Sequence, residues 1–227
     1  YTEEALIRAS KTLYNKGEYE KALPYYDQLE ELASTPQVIF NTRVGLMRCN
    51  YLLEHYSNAA EMARKVLDDK LLTDDDKRVE ANYVAGMSLF HTEKYEECQS
   101  FLRWTADHTG KERGTEALYT LAASQYHLDK YDKSEKIHKE LMKRKPAYDY
   151  WIAKSLILQA RVFLARDELF QAEKTVDLVL KNYPNKEDDV INEAQSVKDE
   201  IMQLKNASKA IEDNGNRMIE INEEDDE

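Results

Sequence analysis

Glycine and proline are scarce in this sequence. Its 227 residues include six glycines and four prolines, about 4% of the chain against roughly 12% in average proteins. β-Sandwiches, barrels and α/β enzymes need many tight turns that use these two residues, so we exclude those classes. Hydrophobic residues make up 42% of the chain and charged residues 33%, as in amphipathic helices with polar outer faces. We therefore expect an all-α protein.

Long hydrophobic runs and cysteine motifs are missing as well. No apolar run approaches the roughly 18 residues of a membrane span, so we expect no direct membrane insertion. Cys49 and Cys98 are too few for a disulfide framework and form no Cys-x-x-Cys motif, so we interpret them as buried thiols. The sequence begins at Tyr1 with neither an initiator methionine nor a signal peptide. We expect further residues to precede it.

Motifs for catalysis and cofactor binding are also absent. The glycines are scattered and form no phosphate-binding loop. Neither an HExxH zinc motif nor a GxSxG nucleophile motif occurs. His91 and His127 are the best-placed histidine pair, but two imidazoles without further ligands rarely hold a metal. We predict that the protein is not an enzyme and that it has no cofactor and no metal site.

The charge balance is acidic. The chain has 44 acidic and 32 basic residues, which gives a net charge of −12. Residues 207–227 contain eight acidic residues against Lys209 and Arg217, and thus half of that net charge. Binding to nucleic acid or to an anionic membrane surface requires a basic surface, and no basic stripe is present. We therefore expect a protein or peptide partner and no nucleic acid.

The sequence repeats itself at intervals of 36 to 39 residues, a period typical of solenoid proteins. In each repeat a large residue is followed three positions later by a small one. The five pairs are Tyr19/Ala22, Tyr56/Ala59, Tyr95/Cys98, Tyr131/Ser134 and Leu169/Ala172.

Apolar residues at helical spacing lie on both sides of each pair. In the first repeat Leu6 and Leu13 precede the pair, and Tyr26 and Leu29 follow it. Two amphipathic stripes separated by a short polar stretch predict a helical hairpin in every repeat. We predict first helices near residues 4–15, 38–53, 76–91, 114–127 and 148–165.

This pattern resembles the tetratricopeptide repeat (TPR) family. In that family a small residue inside the first helix lets the two helices approach each other, and Ser10, Gly86 and Ala122 stand at this place. Pro146 and Pro184 stand where its repeats often end in proline. The resemblance covers about residues 3–185 and implies a right-handed superhelical solenoid of about five hairpins. It also suggests the C-terminal part of a longer bacterial TPR protein.

Two departures from the family pattern are visible. Met47 replaces a small residue, and His138 replaces a bulky apolar one. The repeats are also longer than the usual 34 residues. We interpret the excess as longer helix ends and loops, notably around residues 68–76.

The resemblance also implies a binding groove, because set positions of each first helix face the concave side in TPR proteins. Here these positions hold aromatic residues in the middle and cations at both ends, a surface suited to an acidic and apolar peptide. Alternatively, the aromatic residues only fill the interior. Ile7 and Gly45 replace two polar residues of the carboxylate clamp that binds chaperone tails, so we do not expect that ligand. The candidate groove residues are Lys11, Tyr14, Asn15, Asn41, Arg48, Tyr51, Tyr83, Met87, Phe90, His91, Tyr119, Tyr126, His127, Lys154 and Arg161.

The C-terminal part differs from the repeats. Residues 186–206 carry a single apolar stripe, which predicts a capping helix that completes a solenoid over residues 1–206. The acidic tail, residues 207–227, has the composition of a disordered segment. We hypothesise that it packs into a groove of its own chain or of a neighbour, which would allow self-association. Alternatively, its acidic residues only increase solubility.

Three functions are compatible with the sequence. The first is a non-catalytic scaffold that binds a peptide or protein segment in the concave groove. The second is a substrate-capturing or accessory subunit of an enzyme complex, and the third is a structural spacer without a ligand. The ending at residues 182–185 resembles TPR proteins of the bacterial cell envelope, and both the envelope and the cytoplasm remain open.

Overall fold

A computed structural model describes residues 2–185 and 187–224, with side chains described as far as Ala210. All regular secondary structure in these ranges is α-helical, and none of the helices is long and apolar enough to cross a membrane. The helices are α1 (Glu3–Asn15), α2 (Tyr19–Leu32), α3 (Pro36–Leu52), α4 (Tyr56–Leu67), α5 (Asp75–His91), α6 (Tyr95–His108), α7 (Glu112–His127), α8 (Tyr131–Leu141), α9 (Asp149–Ala165), α10 (Leu169–Asn182) and α11 (Val190–Glu224).

Four predicted hairpins are confirmed as packed helix pairs, α1 with α2, α3 with α4, α5 with α6 and α9 with α10, and all five first helices lie within two residues of their predicted bounds. The chain divides into two compact units. The first unit comprises Tyr1–Lys133 with Arg144–Pro146, and the second comprises Ser134–Lys143 with Ala147–Glu227. The first unit holds α1 to α7 and the start of α8, and the second holds the rest of α8 and α9 to α11.

The small residue of each repeat lies at a helix contact. Ala22, Ala59, Cys98, Ser134 and Ala172 are all at most 1% exposed. Inside the first helices the second small position is equally tight: a Cβ atom added to Gly86 would lie 2.8 Å from the Leu102 side chain. Real Cβ atoms essentially never approach another atom so closely. Helices α5 and α6 can therefore pack this tightly only because position 86 is a glycine.

The turn between the two helices has the same backbone in every hairpin. It is three residues long, and its second residue has a positive φ of 56–76°. The next backbone N–H donates to a carbonyl five residues earlier, at 2.8–3.0 Å. This is a Schellman motif, which ends a helix with one left-handed residue. The left-handed residues are Gly17, Glu54, Glu93, Asp129 and Asp167.

The loops that join one hairpin to the next vary in length. Residues 33–35 and 109–111 form three-residue loops, whereas 68–74 and 142–148 form seven-residue loops. The interpretation that the long repeat period reflects extra loop residues near 68–76 is therefore confirmed.

Helix α11 packs in the second unit through four fully buried side chains, Val190, Ala194, Val197 and Ile201. It begins four residues after the predicted start at 186 and does not end at 206, since it continues to Glu224. The expectation of disorder after 206 thus differs from the observed helix, in which half of residues 207–224 are good helix formers. The hypothesis that the acidic tail fills a groove depends on side chains beyond Ala210, which lie outside the described part.

We expect Ala59→Leu and Ala172→Leu each to lower the free energy of unfolding by about 1–3 kcal/mol, because the larger side chain overpacks a closed helix contact. Urea unfolding checks this. The control is Ala207→Leu on α11, where the side chain is exposed; its effect should be under about 0.5 kcal/mol. Equal stability of all three variants would show that the small residues are not at the contact.

The left-handed turn residues provide a second test. Glu93→Gly should raise the free energy of unfolding by about 0.5–1 kcal/mol, because a left-handed conformation costs a side-chain-bearing residue more than it costs glycine. Gly17→Ala should lower it by a similar amount. Glu61→Gly, at an exposed position in the middle of α4, should be destabilising by about 1 kcal/mol. Destabilisation by Glu93→Gly would contradict the assigned turn geometry.

Candidate functional site

Four aromatic pairs line the three-residue turns of the first unit. In each pair a ring from the last turn of the first helix contacts the ring that begins the second helix. The ring centroids are 5.4–6.2 Å apart with tilted or edge-on planes, a favourable geometry for aromatic contacts. All eight rings are partly exposed. We call this set the aromatic seam: Tyr14, Tyr19, Tyr51, Tyr56, Phe90, Tyr95, Tyr126 and Tyr131.

Two histidines connect neighbouring hairpins along the aromatic seam. His91 stacks face to face on Tyr56, with centroids 4.3 Å apart, and His127 stacks on Tyr95 at 4.7 Å. Partial burial lowers the pKa of His91, although the charge of Glu54 opposes this shift. The ring is therefore neutral near pH 7. Each imidazole has an aromatic partner, and the described residues contain no cluster of three or more side chains suited to a metal.

A hydrogen-bonded network lies on the first helices beside the aromatic seam. The Tyr51 hydroxyl donates to the Tyr83 hydroxyl at 3.4 Å, and Tyr83 is hydrogen-bonded to Glu116. The Arg113 guanidinium lies 4.9 Å from the centroid of the Tyr83 ring. Burial raises the pKa of both Tyr83 and Glu116. Tyr83 is only 8% exposed, so it holds the helices together more than it offers a contact surface.

Three of the four cations of the predicted groove have partners within the chain. In the first unit Arg48 donates to both oxygens of Glu80, at 2.8 and 2.5 Å. Such a bidentate pair satisfies the guanidinium. The basis for an acidic ligand at this position is therefore lost, because the carboxylate that the ligand would supply is already present.

The same holds for the two groove cations of the second unit. Lys154 Nζ lies 3.0 Å from Asp189 and 2.5 Å from Glu193. Arg161 lies 3.7 Å from Glu200. Helix α11 and the residue before it thus supply the counter-charges. The family pattern gives the direction of a side chain but does not reveal a partner that the neighbouring helix provides.

The remaining groove residues divide by burial. Lys11, Asn15 and Asn41 are exposed, Tyr119 is half-buried, and Met87 is buried at 7% exposure. The structure therefore brings together the partly exposed members at the turns, and these form the main accessible apolar surface among the predicted residues. They are Tyr14, Tyr51, Phe90, His91, Tyr126 and His127.

Sequence reasoning missed half of the aromatic seam. Tyr19, Tyr56, Tyr95 and Tyr131 marked the repeat but were not assigned to a surface. The available signal was their spacing, since each follows an aromatic residue five positions earlier. With a three-residue turn between two helices, that spacing brings both rings to the same edge.

Two family models match parts of the chain. One, described as anaphase-promoting complex, cyclosome, subunit 3, matches residues 52–141, and a tetratricopeptide repeat model matches residues 11–34. No curated protein sequence matches the chain significantly.

Solved structures with the same fold are numerous. YrrB, a TPR protein with an unusual peptide-binding site, aligns with a TM-score of 0.66 and 17% identity over 86% of this chain and 90% of its own. MamA from Desulfovibrio magneticus RS-1 aligns at 0.61 and 16% identity over 82% of this chain and 97% of its own. BtubC from P. vanneervenii aligns at 0.58 and 16% identity over 82% and 84%, respectively.

These matches agree with the observed structure. The three-residue turns of the chain share one left-handed position, and its helices align with those of the solved TPR proteins. The chain therefore has the tetratricopeptide repeat fold, with the tetratricopeptide repeat model itself matched at residues 11–34.

Proposed function

We propose that this protein is a non-catalytic scaffold whose first unit binds a peptide or protein segment along the aromatic seam. The observation that carries the proposal is the repetition of a partly exposed aromatic pair at four consecutive turns. Exposed rings in register offer large, rigid contact areas at low entropic cost. A spacer without a ligand would need no such row.

The chemistry of the aromatic seam favours binding over catalysis. Its tyrosines contact other rings in tilted or edge-on geometry, and the imidazoles of His91 and His127 lie against phenol rings instead of a nucleophile. The two thiols are buried, and burial raises the pKa of Cys49 to about 12 and that of Cys98 to about 11. Both remain protonated and poorly nucleophilic near neutral pH. YrrB, with its own peptide-binding site, supplies a structural precedent.

The test is a selection of random peptides of about 15 residues, displayed on phage, against the immobilised full chain. Phe90→Ala together with Tyr126→Ala should weaken a selected peptide by more than about 2 kcal/mol, roughly 30-fold in Kd, because anchor rings carry most of the binding energy. Fluorescence anisotropy measures the Kd.

The control is Phe170→Ala, which removes a ring that is 64% exposed in the second unit. It should leave the Kd unchanged. Phe90→Leu retains most of the apolar volume and separates loss of the ring from loss of packing, and the melting temperature of each variant is measured. Enrichment of no peptide, or an unchanged Kd in the double variant, would contradict the proposal.

A further inference from the structure

Acidic residues accompany three of the four aromatic pairs of the seam. The left-handed turn residues Glu54, Glu93 and Asp129 are exposed, and each precedes a tyrosine of the aromatic seam by two positions. Asp129 accepts a hydrogen bond from the Tyr131 hydroxyl at 2.7 Å. The aromatic edge of the first unit is therefore bordered by three carboxylates in equivalent positions.

The electrostatic effect of these carboxylates reaches the rings. Burial, with the charge of Glu54 as a smaller cause, raises the pKa of Tyr56. Burial, with the charge of Glu93 as a smaller cause, also raises the pKa of Tyr95. Each carboxylate thus lies close to a ring of the aromatic seam.

These carboxylates differ from two ion-paired acidic groups on the helices of the first unit. Glu80 is neutralised by Arg48, and Glu97 is paired with Arg64 at 2.5 Å. Glu54 and Glu93 have no ion-pair partner within the described part of the chain, and the exposed lysines of these turns, Lys16 and Lys94, are not paired with them.

Aromatic faces beside carboxylates are the two elements that recognise an arginine or lysine side chain. The ring attracts the cation through its quadrupole, and the carboxylate accepts its hydrogen bonds. The first unit already shows this chemistry internally, because Arg113 stacks on Tyr83 beside Glu116. The net charge of −12 would also attract a basic partner over a distance.

We propose that the partner segment is basic, with Arg or Lys side chains that stack on the aromatic seam and pair with Glu54, Glu93 and Asp129. This inference rests on the proposed function and specifies its ligand. First helices of successive hairpins pack directly against each other, α3 on α5 and α5 on α7, and packed helices lie about 8–10 Å apart. An extended segment covers this distance in about three residues.

The probe follows from this spacing. A fluorescein-labelled peptide of about twelve residues carries Arg at every third position, with Ser and Ala between, and a second peptide carries Glu in place of Arg. Anisotropy titrations use the full chain. The Arg peptide should bind, the Glu peptide should not, and binding should weaken as salt rises from about 50 to about 200 mM.

The site variant is Glu54→Gln, Glu93→Gln and Asp129→Asn combined, which should raise the Kd of the Arg peptide at least about ten-fold. The matched control is Glu31→Gln, Asp68→Asn and Asp107→Asn, which removes the same charge at the far ends of α2, α4 and α6. It should change the Kd less than about two-fold. If a triple variant unfolds, Glu93→Gln is compared with Asp107→Asn instead.

Equal binding of the two peptides, or equal losses in the site and control variants, would overturn the inference. If phage selection yields peptides that depend on Phe90 and Tyr126 but lack basic residues, the basic ligand is refuted and the proposed function stands. If the Arg peptide binds but Phe90→Ala with Tyr126→Ala leaves its Kd unchanged, both the aromatic seam and the inference are refuted.

Discussion

In four hairpins, α1–α2, α3–α4, α5–α6 and α9–α10, two helices pack together and a buried side chain no larger than cysteine lies near the start of the second helix. Ala22, Ala59 and Ala172 are completely buried. Because this contact fixes how the two helices pair, it also fixes where the first helix ends and the second begins. The three-residue turn can then close with the same Schellman motif each time. The aromatic pairs follow, since they occupy the last and first residues of the paired helices.

The sequence predicted the fold well because its signals are local and periodic. Small residues at a constant interval and apolar stripes at helical spacing are visible without knowledge of the partners. The charge pattern of the groove could not be predicted in this way. Arg48 and Glu80 lie on different helices, as do Lys154 and Glu193, so their pairing appears only once the hairpins are stacked. The extension of α11 beyond residue 206 was missed because acidic composition was taken to indicate disorder, although half of residues 207–224 favour helix.

Internal charge pairing changes what the candidate surface can recognise. Cations that a family pattern presents as free for a ligand are neutralised by acidic residues of the adjacent helix, and an ion pair of this kind gives up little to a competing carboxylate. The rings and acidic residues along the turns are the groups to which our proposal assigns recognition. The same repeat architecture can therefore carry opposite ligand preferences, because a few charges on neighbouring helices decide which groups remain available.

The turns within hairpins and the loops between hairpins differ in whether they tolerate inserted residues. A three-residue turn with a left-handed second residue has no spare length, so one inserted amino acid would rotate the second helix and separate its tyrosine from the preceding ring. The seven-residue loop at 68–74 has no such constraint, and its length already differs from that of the loops at 33–35 and 109–111. Epitope tags, fluorophore sites or whole inserted domains therefore belong in the loops between hairpins. Over time, lineages of this protein can lengthen those loops while the turns keep a constant length.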